Sequence, residues 1–84
     1  MSTVAMAETV ERIRQMAAEH LEVDLEELTL TSHFVADCGA DSLSLIDLLA
    51  GLEREYNVVI DQGQLERMVS VNAVYEVLAE AAGW

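Results

Sequence analysis

Eighty-four residues, 52% of them hydrophobic, predict one compact domain over residues 1–84 with a modest core, because a chain of this size buries only about 60% of the surface its unfolded form exposes. Sixteen acids against four bases give a formal charge of −12, which disfavours nucleic acid and anionic membrane surfaces as partners and favours proteins with basic patches. One cysteine, Cys38, excludes an intramolecular disulfide and any multi-cysteine metal site.

The first residues, MSTVAMAETVERIR, combine no basic leader with an apolar run, and no stretch of eighteen apolar residues follows. A soluble, untargeted, cytoplasmic protein is expected. Met6, Val10, Ile13, Ala17 and Leu21 recur at helical spacing, with Glu8, Glu11, Arg12, Gln15 and Glu19 opposite them, so the first helix is expected over about residues 5–20. The segment VDLEELTLTSHFVADCGA is long and irregular; Asp24 and Glu27 stand as cap and third-position partner for one short turn.

From Asp41 the pattern sharpens. Leu45, Leu49, Leu52 and Tyr56 fall in one narrow sector and should face the core. Leu43, Asp47, Ala50 and Arg54 collect opposite, with Ser44 and Gly51 beside them, so Leu43 is stranded on a polar face. The helix should end near Tyr56-Asn57; Asp61 then caps a brief helix holding Leu65 and Met68, with a strand over 58–60 as an alternative for VVI. Ser70 is the expected cap of a last helix that buries Val71, Val74, Leu78 and Ala81. The expected fold is all-α: a small four-helix bundle with three longer helices, one short one and a long loop between the first two.

The stretch DCGADSLSL opens the second helix. A nucleophilic serine needs a base and oxyanion donors, but the only imidazoles are His20 and His33 and GADSL is not the G-x-S-x-G elbow; no catalytic residue is assigned. His33, Asp37, Cys38 and Asp41 match no metal-binding template. Two readings of Ser42 remain. In one, Asp41 caps the helix by accepting the Ser44 amide and Ser42 merely follows it. In the other, Ser42 carries a phosphodiester at the anion-favouring helix N-terminus.

D-C-G-A-D-S-L closely resembles the D-x-G-x-D-S-L signature of acyl carrier proteins, and the resemblance extends from the acidic first helix through Phe34 and the short third helix to VSVNAVYEVL. It implies a non-enzymatic carrier in which Ser42 bears covalent 4′-phosphopantetheine, with Asp41 and Leu43 as recognition neighbours. Acyl groups would ride as thioesters between separate enzymes of polyketide or fatty acid biosynthesis. Implied partners are a phosphopantetheinyl transferase, a ketosynthase, an acyltransferase and other enzymes with basic patches, met by a monomer. Carried over to this chain, the docking face comprises Asp37, Asp41, Leu43, Ile46, Asp47, Glu53 and Glu55. The acyl pocket candidates Phe34, Leu49, Leu52, Ile60, Leu65, Met68 and Val74 are equally core residues.

Four positions depart from the family pattern: Cys38 where Leu is usual, Ser44 where many fatty acid carriers have an acid, Arg54 within an acidic run, and Asp61 in place of Pro. They tilt the expectation toward a polyketide or other specialised pathway. A peptidyl or aminoacyl carrier and an unmodified acidic helical adaptor are the alternatives.

Overall fold

A computed structural model describes the backbone of residues 3–84 and the side chains of residues 6–84; residues 1 and 2, part of the segment read for targeting signals, lie outside the described residues. Helix α1 spans Thr3–Leu21, α2 Ser42–Tyr56 and α3 Val71–Ala82, with a 3-10 turn at Leu25–Glu27 and a 3-10 helix at Gln62–Arg67. No strand occurs among the described residues. The expected all-helical arrangement of three longer helices and a short one is present.

Helix α1 buries Ile13, Met16, Ala17, Ala18 and Leu21, as its spacing requires. Met6 does not join them; it is 45% exposed, so the buried stripe begins at the half-buried Val10. The three long helices stop in the same way. Glu22, Asn57 and Gly83 take left-handed backbone, and the next amide reaches back five residues, Val23 to Ala18, Val58 to Glu53 and Trp84 to Ala79. This closure satisfies carbonyls that the helix would otherwise leave unpaired.

The turn at Leu25–Glu27 forms without the expected side-chain cap. Asp24 accepts nothing through its carboxylate, and its backbone carbonyl takes the Glu27 amide at 3.0 Å instead. Arg14 holds this turn from α1: its guanidinium donates to the carbonyls of Leu25 and Leu28 and pairs with Glu11 at 3.0 Å. The following loop is anchored by Leu28 and Phe34, both buried.

Helix α2 lies against α1 along Leu48, Leu49, Gly51 and Leu52, while Leu45 and Tyr56 are half-buried. Gly51, expected beside the polar face, is buried under α1. A Cβ there would stand 3.2 Å from both His20 Nε2 and Met16 Cε. Arg12 bonds Glu55 at 3.1 Å across the same interface. Residues 58–60 do not form a strand: Ile60 inserts into the core and donates its amide to the Glu53 carboxylate at 3.0 Å.

Asp61 and Ser70 cap as expected, accepting the Gly63 amide at 2.9 Å and the Ala73 amide at 3.3 Å. In α3 the buried stripe is Val71, Val74, Val77 and Leu78. Ala81 is exposed, contrary to expectation, because it lies in the last turn of α3, just before the helix ends at Ala82. The 3-10 helix packs between α2 and α3, tied to α3 by the Arg67–Glu80 ion pair. Trp84 closes the end of the bundle edge-on to Tyr56, with ring centroids 5.8 Å apart.

Three ion pairs among the described residues, one of them within α1, leave most of the sixteen carboxylates without a base. Their mutual repulsion opposes compaction and is screened over about 10 Å at 0.1 M salt. The thermal midpoint is therefore expected to rise with NaCl at neutral pH; a flat midpoint in a salt titration would contradict this.

Candidate functional site

The loop before α2 is built to present residues 41 and 42. Phe34 is fully buried, and its amide donates to the Val69 carbonyl at 2.8 Å. Its own carbonyl accepts the Ala40 amide at 2.9 Å, which folds residues 35–39 into a compact turn. Asp37 and His33 brace that turn: the Asp37 carboxylate accepts the His33 amide at 2.8 Å, and His33 Nδ1 accepts the Ala36 amide at 3.1 Å. Gly39 has φ +70° with open space around it, so a side chain there is disfavoured by backbone strain rather than by contact.

Asp41 is the N-cap of α2, with extended backbone and its Oδ1 accepting the Ser44 amide at 2.9 Å. That bond, followed by the Ser44 hydroxyl, holds the Asp41 carboxyl below its ordinary value of 3.8. A depressed carboxyl stabilises the fold above its unfolded pKa, and the contribution disappears as pH falls through the folded value. Asp41→Ala is thus expected to lower the thermal midpoint at neutral pH by an amount that shrinks in strong acid. Melting both proteins from pH 7 down to below 3.8 checks this; a pH-independent difference would contradict it.

Ser42 occupies the first position of α2 and is exposed. It lies on the wall of a surface cavity of about 330 Å³, together with Val35, Leu45, Leu65, Glu66, Met68 and Val69. Of the seven core positions named as pocket candidates, only Leu65 and Met68 reach this cavity. Phe34, Leu49, Leu52, Ile60 and Val74 are buried elsewhere in the core. Val35 and Val69 were legible only as the apolar neighbours of Phe34 and Met68, and Glu66 carried no signal.

The outward face of α2 carries Leu43, 72% exposed, with exposed Asp47 and half-buried Ile46. The acids named with them have different surroundings. Glu53 holds the Ile60 amide, Glu55 pairs with Arg12, and Asp37 braces its own loop. Cys38 is half-buried and packs against the core. Desolvation, then the neighbouring Asp37, push its thiol above its ordinary value, which opposes thiolate formation. Among the described residues no three His, Cys, Asp or Glu side chains are placed to hold a metal ion, and no helix is long and apolar enough to cross a membrane.

Residues 11–78 match the family described as "Phosphopantetheine attachment site". The chain belongs to this family of phosphopantetheine-bearing carrier proteins. It is 44% identical over 82 residues to the "Polyketide-8 synthase acyl carrier protein 1" of Streptomyces avermitilis, an alignment covering 98% of each chain. It is also similar to a chain in the solved structure "The ishigamide ketosynthase/chain length factor", at 47% identity and TM-score 0.74, covering 89% of this chain and 94% of that one. It is accordingly an acyl carrier and not an enzyme, and 4′-phosphopantetheine is its covalent cofactor.

The residues at the start of α2 fit such a group. An exposed hydroxyl at a helix N-terminus accepts a phosphodiester in a favourable field, and the adjoining apolar cavity can shelter a neutral chain. When attached, the arm supplies a terminal thiol on which acyl groups are held as thioesters.

Proposed function

We propose that Ser42 is the attachment point and that the protein shuttles intermediates of polyketide biosynthesis between separate enzymes in the cytoplasm, as one monomeric domain over residues 1–84. The observation that carries this reading is the position of Ser42: exposed, first in α2, and on the rim of an apolar cavity. Relatives named for a polyketide synthase and for a ketosynthase/chain length factor support the pathway.

Ser42 contributes only a hydroxyl. A phosphopantetheinyl transferase, using coenzyme A and Mg²⁺, supplies the base that removes its proton, so the absence of a neighbouring imidazole is no obstacle. Asp41 fixes the helix start, and Leu43 and Ile46 offer the transferase, ketosynthase and acyltransferase an apolar contact. Asp37, Asp41 and Asp47 add an acidic field that guides basic surfaces toward it, to which Glu53 and Glu55, engaged by the Ile60 amide and by Arg12, contribute less. Exposed charge pairs are worth at most about 1 kcal/mol each, so this field acts chiefly on encounter and orientation. Phe34, Leu49, Leu52, Ile60, Leu65, Met68 and Val74 form the apolar interior into which the cavity could deepen as cargo enters.

Mass spectrometry of the protein isolated from its native host tests the pathway. A Ser42 peptide carrying phosphopantetheine with malonyl or β-ketoacyl-derived cargo is expected. Saturated straight-chain acyl groups alone would contradict the polyketide reading, and an aminoacyl cargo would move the protein to the peptidyl carriers.

A further inference from the structure

Three of the four bases are committed within the chain: Arg12 to Glu55, Arg14 to Glu11 and Arg67 to Glu80. Arg54 has no ion-pair or hydrogen-bond partner among the described residues and is exposed in the last turn of α2. Its neighbours three and four residues back in α2 are Ala50 and Gly51, and Asn57 and Val58 lie beyond the helix end; none is charged, so it lacks the pairing that Glu11 gives Arg14. The adjacent acids are already occupied, Glu53 by the Ile60 amide and Glu55 by Arg12.

At about 100° per residue Arg54 shares a sector with Leu43, Asp47 and Ala50. It follows Asp47 by seven residues, about 10 Å along the helix. The outward face of α2 is therefore bipolar: apolar and acidic at Leu43 and Asp47, cationic at Arg54. In a chain of net charge −12, one free cation on the outward face of α2 distinguishes partners by the sign of the charge they present there.

We propose that Arg54 is a specificity residue of this face, receiving a carboxylate on the ketosynthase that lies about 10 Å beyond the base facing Asp47. The inference rests on the carrier reading above, in which α2 docks that enzyme. A ketosynthase surface that is basic throughout meets Asp47 but repels Arg54. One with a carboxylate in the second position accepts both and fixes the direction in which α2 lies, hence where Ser42 arrives.

The two surfaces predict opposite signs for charge reversal. The Ser42-loaded chain and its Arg54→Glu, Arg54→Ala and Arg54→Lys variants are titrated against the ketosynthase/chain length factor pair of the ishigamide system at low and high salt. Thermal midpoints of the free carriers serve as the control for a helix-terminal charge effect. Arg54→Glu is expected to weaken binding about fivefold at low salt, with Arg54→Ala intermediate and Arg54→Lys close to wild type. The differences should shrink at high salt. Equal or tighter binding by Arg54→Glu overturns the inference while leaving the carrier reading standing. Failure of the wild-type chain to accept the arm overturns the reading itself, and failure of the loaded wild type to bind overturns its ketosynthase assignment; either takes this inference with it.

Discussion

Ser42→Ala is expected to abolish loading completely while leaving the fold intact. The hydroxyl is exposed and makes no contact that α2 needs, since the cap is the Asp41 carboxylate on the Ser44 amide. Alanine is an equally good or better residue at the first turn. Incubation with coenzyme A, Mg²⁺ and a broad-specificity transferase should add no mass to the variant, whose thermal midpoint should match the wild type. Ser44→Ala is the internal control, and it should still load. Loading of the Ser42→Ala chain would move the attachment site, and loss of folding would leave the Ser44→Ala result to decide between the two serines.

Phe34→Ala should have the largest effect on stability. The ring is fully buried, and truncating a buried Phe typically costs about 3–5 kcal/mol. A chain of this length has a total stability of roughly 4–13 kcal/mol, so a large share of the native population is at stake. The effect should extend to the site, because Phe34 is also the residue whose backbone ties the loop to Val69 and to Ala40. Denaturant unfolding should show the loss, and amide exchange at Ala40 should accelerate more than at the middle of α3. Phe34→Leu, which keeps most of the volume, should cost less than about 1.5 kcal/mol. A drop below about 1 kcal/mol for Phe34→Ala would mean that the loop has another anchor.

The start of α2 was readable in the sequence because its determinants are local. Asp41 and the Ser44 amide form the cap within three residues, and Asp61 and Ser70 announce their helices in the same way. The core sector of α2 followed from periodicity in part: Leu49 and Leu52 are buried as expected, Leu45 and Tyr56 only half-buried, and the buried Leu48 was not assigned to it. The burial of Gly51 was not readable at all, since it depends on where His20 and Met16 of α1 cross the helix. Glu55 looked like a free surface acid for the same reason: its partner Arg12 is distant in sequence. Residues 58–60 allowed a strand because β-branched residues in a short run suggest one, but no partner strand was at hand, and the Ile60 amide is satisfied by a side chain, Glu53. The cavity beside Ser42 was the least legible feature. Its walls come from the loop, α2 and the 3-10 helix together, and no single segment announces it.

The central claim is that Ser42 is a tether and the protein otherwise a scaffold for docking. Its most direct test is fragmentation of the wild-type chain after reaction with coenzyme A and the transferase. One phosphopantetheine on the peptide containing DSLSL, localised to Ser42, is the expected result. No mass gain under conditions that modify a control carrier, or localisation to Ser44, would contradict it.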